Sequence, residues 1–251
     1  SLLLFAIILL MGTLSLIGLS MKGATQQASS ESLGSITNSF SMQINRRTNP
    51  GTPRGAGNLR GEDIEKISQV EGITSSIKRI NAIADILDHE IIETEETLQN
   101  QSPERAKHFK NTLMVTGVND SSKEDKFVSG AYKLVQGEHL TDKDKNQILM
   151  HEDLAKKNGL KVGDKVRLKS NLYDADNEKG ANETVEVTIK GLFSGKNQAP
   201  LTYAQELYED TLISDLDTAA KLYGNTVQTA TYEDATFFAK GDQDLDKLIE
   251  K

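Results

Sequence analysis

The chain contains no cysteine and no tryptophan, and only 5% of its 251 residues are aromatic. Without cysteine there are no disulfides and no thiolate metal sites, and the redox compartment leaves no mark; an extracytoplasmic protein is allowed. The scarcity of rings argues against stacking platforms for sugars or bases. Positive charge is also short: 29 Lys and Arg against 37 Asp and Glu leave a net charge of −8. That balance argues against a nucleic-acid partner. No G-x-x-x-x-G-K-[ST], G-x-S-x-G or H-E-x-x-H occurs, so the commonest phosphate, serine-nucleophile and zinc signatures are missing.

What is present begins with a long uncharged run. Residues 1–21, SLLLFAIILLMGTLSLIGLSM, precede the first charge at Lys22. About 20 residues at about 1.5 Å each match the roughly 30 Å hydrocarbon core, so the run reads as a membrane span. A signal peptide is the competing reading, but its apolar region is usually about 7 to 15 residues and no A-x-A pattern follows here. A buried core helix would need cover on every side. The polar KGATQQASSESLGS at 22–35 suits a stalk, and GDQDLDKLIEK at the other end carries Leu245, Leu248 and Ile249 at helical spacing. Both ends read as boundaries within a longer membrane protein.

Between them, NSFSMQINR alternates Phe40, Met42 and Ile44 with polar residues, the mark of a half-buried strand. NPGTPRGAGNLRGED follows, dense in Gly, Pro and Arg. Its glycines and a following helix start would suit an anion, but G-x-G-x-x-R is not a dinucleotide loop, and turn residues joining strand to helix account for it. A helix from Glu62 with Ile64, Ile67 and Val70 on one face stops before Gly72; ITSSIKRINAIADIL is a second strand. Polar residues 90–111 include a helix opened by Ser102-Pro103-Glu104, and TLMVTGVN is another strand. From Phe127 short strands separated by glycines, with a hairpin expected at the Gly-Asp turn of LKVGDKVRL and a strand at ETVEVTIKGLF, suggest a small barrel or sandwich. ISDLDTAAKLYG reads as a helix, and ATFFAKG returns the chain to the first unit. The expected fold class is α+β, divided as 1–37 membrane helix and stalk, 38–126 α/β lobe, 127–235 inserted β-rich lobe and 236–251 return.

No catalytic, cofactor or metal residue is assigned. Asp174, Asp176 and Glu178 begin like a calcium loop but have Lys179 and Val185 where Gly and Glu are needed. Asp142, Asp144 and Asn146, with Asp153 at position twelve, have Gln147 at position six. His89, His108, His139 and His151 are dispersed; Asn119 and Asn182 sit in chance N-x-[ST] matches. The acidic stretch from Glu206 to Asp217 reads as an exposed helix and loop surface.

IILLMGTLSLIGLSMKGAT, SFSMQINRR, GTPRGAGN, GVNDSSKEDKFVSG, VGDKVRLKSNLYDADNEKGA and DTAAKLYG together resemble the MacB/FtsX-type ABC transporter permeases, in particular the Vex-type permeases of Gram-positive cocci. The resemblance covers nearly the whole chain. It implies a first transmembrane helix followed by an extracellular domain with a porter-like α/β part and an inserted β-rich (sabre-like) part, residues after about 22 lying outside the cell membrane. It also implies a permease without its own ATPase, whose partners are an ATP-binding subunit, a second permease (homodimer or sister permease) and membrane lipid. Export or mechanotransmission is the implied work; Ser20, Gly23 and Gly34 sit near the stalk, as bending points or as small residues that serve packing. The alternative is a single-pass anchored module that captures a peptide or cell-wall fragment.

Overall fold

The computed structural model describes residues 38–45, 47, 58–174, 177, 181–199, 201, 203–241, 244 and 246–247. The expected membrane helix and stalk, most of the Gly/Pro/Arg loop and most of the terminal helix lie outside these residues. No helix among the described residues is long and apolar enough to cross a membrane.

Eleven strands and six short helices make up the described chain. The strands are β1 (Asn38–Gln43), β2 (Leu59–Arg60), β3 (Ile73–Ile86), β4 (Thr112–Val118), β5 (Lys133–Gly137), β6 (Gln147–His151), β7 (Lys165–Ser170), β8 (Thr184–Ser194), β9 (Thr211–Asp215), β10 (Thr231–Tyr232) and β11 (Asp234–Ala239). The helices are α1 (Gly61–Ser68), α2 (Glu95–Asn100), α3 (Pro103–His108), α4 (Asp125–Val128), α5 (Glu152–Lys157) and α6 (Leu216–Leu222). Strand, helix and strand follow one another from β1 to β3 as the sequence patterns predict. Ser102 caps α3 with its hydroxyl, accepting from the Arg105 amide. The first and last strands do share a sheet: β11 lies between β1 and β3.

The sheet is mixed. β3 pairs antiparallel with β4, β4 parallel with β9, β9 antiparallel with β6, and β6 parallel with β8. β7 then pairs antiparallel with both β8 and β3. These pairings close a ring of six strands, β3-β4-β9-β6-β8-β7. One hydrophobic cluster draws on all six, through Ala84, Leu113, Leu212, Ile148, Val187 and Leu168. Leu149, Phe193 and Ile213 belong to a second cluster, while their chain neighbours Ile148, Leu192 and Leu212 belong to the first. Period-two alternation therefore buries β6 and β9, and β8 at Gly191–Phe193, on both faces, which is why QILMH and TLISD carry so few charges.

Three expectations are corrected. In strand pairing the segment 127–235 is not set apart, because β6 to β9 complete a ring with β3 and β4, although its Tyr132, Leu140, Leu149, Phe193 and Ile213 share a second cluster with Val118. The described residues divide elsewhere, into one unit of 38–40, 70–75, 238–241, 244 and 246–247 and another of those within 41–69 and 76–237. In the first unit, Asn38 donates to the Gly241 carbonyl and Thr74 to that of Phe238. Second, the Gly-Asp turn joins no hairpin: Asp164 closes a turn on Lys161 ahead of β7, whose strand partners are β8 and β3. Third, the acidic stretch is not a solvated surface. Its middle is β9, buried throughout, and ISD belongs to that strand and not to a helix. The acids at its ends serve the backbone: Asp215 caps α6 by accepting from the Thr218 amide.

Candidate functional site

At the start of α1 the backbone donors that could have cradled a phosphate are occupied. The Gly61 amide donates to the Ala230 carbonyl at 3.2 Å and the Glu62 amide to Gln228 at 3.0 Å. A Cβ at Gly61 would stand 1.8 Å from the Val227 carbonyl oxygen, so this glycine admits a neighbouring backbone segment, not a ligand. Arg60 is exposed beside it.

The calcium-like runs also resolve into structural contacts. Asp144 accepts from the Thr141 amide at 2.7 Å and from Lys190 Nζ at 2.8 Å. Asp153 is turned to a different cluster, 3.5 Å from Lys196. Asp174 accepts from the Tyr223 hydroxyl, while Asp176 and Glu178 lie outside the described residues. Asn119 holds two backbone groups, accepting from the Lys78 amide and donating to the Ser76 carbonyl, both at 2.8 Å. Asn182 is exposed.

The four histidines are in separate surroundings. His108 packs on Tyr173 with ring centroids 3.6 Å apart. His139 Nδ1 meets Ser121 Oγ at 2.8 Å, and that hydroxyl also accepts from the Leu140 amide. Burial pushes His139 below the usual imidazole range despite Asp120 nearby. Ser121 is wholly buried, so this Ser-His contact locks a turn and offers no nucleophile. His151 ends β6 and is buried, with Asp153 and Glu209 beside it.

Two polar clefts open on the surface. One of about 220 Å³ is lined by Ser41, Arg79, Lys123, Asp125 and Asp234. Arg79 pairs with Asp234 there and lies 3.9 Å from Asp125. The second, about 440 Å³, holds Asp88, His89, Glu93, Lys110 and Lys157. Lys157 Nζ donates to the Ile91 carbonyl at 2.7 Å, and the Ile92 amide donates to Asp210 at 2.7 Å. Burial, with Glu209 and Glu93 adding repulsion, pushes the Asp210 carboxyl up to about 8 against the opposing Ile92 hydrogen bond. In both clefts several charged groups pair with one another or with the backbone, as Arg79 does with Asp234 and Lys157 with Glu90 and the Ile91 carbonyl. Sequence reasoning missed Asp210 and Glu209 as buried groups, because a run of acids has the composition of a solvated face.

These observations describe a class of protein, an α+β domain with one large mixed sheet whose polar groups chiefly secure turns, caps and ion pairs. The comparisons identify the family. The model of the MacB-like periplasmic core domain matches residues 1–248, and the chain belongs to that family, the extracytoplasmic domain of MacB/FtsX-type ABC transporter permeases. Among solved structures, the extracellular domain of the noncanonic ABC-type transporter YknZ from Gram-positive bacteria matches with a TM-score of 0.45 and 12% identity, over 84% of this chain and 88% of that one. The periplasmic region of MacB from Actinobacillus actinomycetemcomitans matches with a TM-score of 0.48 and 18% identity, over 86% and 82%. A search of curated proteins finds no match.

Proposed function

We propose that this chain is the first membrane helix and extracellular domain of a permease that couples ATP hydrolysis in a separate cytoplasmic subunit to work outside the membrane. The observation that carries this reading is the family match across residues 1–248, which includes the uncharged run. The work is export or mechanotransmission, and it needs a domain that transmits force without yielding. The closed six-strand ring supports that demand, because a close-packed core deforms little under load. The partners are an ATP-binding subunit, a second permease as homodimer or sister, and the lipid around residues 1–21. Residues after about 22 lie on the outer side.

Absence of cysteine makes the topology directly testable. In intact cells, Leu172→Cys, at a position 56% exposed, should react with a membrane-impermeant maleimide, whereas Ser1→Cys, at the start of the uncharged run, should not. Coupling is tested in the reconstituted transporter. Weakening the ring with Leu113→Ala should lower ATP-dependent work on the outer side while the partner subunit still hydrolyses ATP. Labelling only after lysis, or ATP-dependent work unaffected by a loosened ring, overturns the proposal.

A further inference from the structure

His151 is 1% exposed, and its Nε2 lies 2.8 Å from the Gly195 carbonyl oxygen. A carbonyl only accepts, so the ring proton sits on Nε2 and the lone pair sits on Nδ1. That lone pair faces the Asp153 amide at 3.1 Å. The carbonyl is held in place by close packing, since a Cβ on Gly195 would lie 2.4 Å from the Ala131 carbonyl oxygen. One ring nitrogen is thus fixed by a carbonyl, as in many imidazole ligands, while the other caps α5 and is open to an ion in exchange for that amide.

Two carboxylates lie beside this ring. One ligand atom each from His151, Asp153 and Glu209 lies within 4.8 Å of the other two. Glu209, in the 3-10 turn Tyr208–Asp210, is 8% exposed, and its Oε2 has no hydrogen-bond partner. A buried carboxylate oxygen without a partner is costly and calls for a cation. The ammonium nearby is that of Lys196, 3.7 Å from Glu209 Oε1 and 3.5 Å from Asp153 Oδ2, on a side chain 77% exposed. Those are ion-pair distances beyond a good hydrogen bond.

We propose that His151, Asp153 and Glu209 form a binding site for a divalent transition-metal ion of the zinc class, which Lys196 neutralises when no ion is bound. One imidazole and two carboxylates suit zinc, whereas calcium and magnesium take oxygen ligands alone. Ligands bonded at about 2.0 Å around a tetrahedral ion stand about 3.3 Å apart, so the three groups must close in by up to about 1.5 Å. Asp153, 42% exposed, has room to rotate inward. The bound ion takes the Nδ1 lone pair from the Asp153 amide and ties the β6–α5 junction to a turn more than fifty residues further along the chain.

The test is a titration of the purified chain in detergent with zinc chloride, followed by calorimetry and by metal analysis after gel filtration. One equivalent should be retained, in the presence of excess magnesium. Glu209→Gln preserves shape and removes charge, and should weaken binding by about tenfold or more. Lys196→Met removes the competing ammonium and should tighten it, while His89→Gln, in the polar cleft of about 440 Å³, should change nothing. Thermal melts confirm that each variant is folded. No stoichiometric zinc in the wild type and in Lys196→Met overturns the proposal, as does binding that survives Glu209→Gln unchanged.

Discussion

Asp144 accepts from Lys190 Nζ at 2.8 Å and from the Thr141 amide at 2.7 Å, on side chains that are only 16% and 21% exposed for the ion pair. Burial by itself would raise this carboxyl, but the Lys190 and Thr141 hydrogen bonds outweigh it and hold it below the usual carboxylate range. A depressed acid contributes stability above its unfolded value, near about 3.9, and that contribution disappears as pH falls through the lower folded value. Asp144→Asn should therefore cost about 1–3 kcal/mol at neutral pH and progressively less below about pH 4, as read by urea unfolding across pH. His139 works in the opposite range. Its neutral form is favoured by burial, so stability from this group falls as pH drops below the ordinary value near about 6.5, and His139→Gln should flatten that slope. Neither role was legible in the sequence. Asp144 looked like part of a calcium run because spacing cannot show that Lys190, on β8, reaches it first. Glu209 looked solvated because nothing local reveals that His151 lies beside it.

At the scale of elements, β4 is read well from TLMVTGV because an apolar β-branched run bounded by turns specifies a strand whatever surrounds it. β9 was concealed for the converse reason. Only Leu212 and Ile213 are apolar in it, and neighbouring acids outweigh them in composition, although Asp215 and Asp210 are each assigned to a backbone amide. Charge at a strand's ends is positional information that composition averages away. The parallel pairing of β4 with β9 brings α6 back over β4, and Gly117 is where the two meet. A Cβ there would come within 2.5 Å of the Ala219 Cβ. Gly117→Ala should lift α6 and lower stability by about 1–3 kcal/mol, and the Gly117→Ala, Ala219→Gly pair should recover part of the loss. Equal stability of the single variant and the parent, measured by denaturant midpoint, would mean that α6 does not bear on β4 as closely as described.

For the whole molecule, the strand pairings carry a consequence that sequence order conceals. Reading along the chain, the turn-rich segment from Phe127 to Ala235 differs in texture from the strand-helix-strand unit before it, and texture suggested a lobe of its own. Pairing ignores texture: β7 contacts β3 and β8, β9 contacts β4, and Leu168, Val187 and Leu212 share one core with Ala84 and Leu113. Residues that line a common interior lose their contacts together, so the ring should unfold as one cooperative element. Leu168→Ala, in the segment expected to be separate, should cost about 2–5 kcal/mol and lower hydrogen-exchange protection of the β4 amides as much as Leu113→Ala does. Were β3 and β4 to keep full protection while β6 to β9 exchanged freely in Leu168→Ala, the ring would not be one element. Force transmission through this domain would then need a joint between two bodies, a different mechanical device from the closed core that the pairings define.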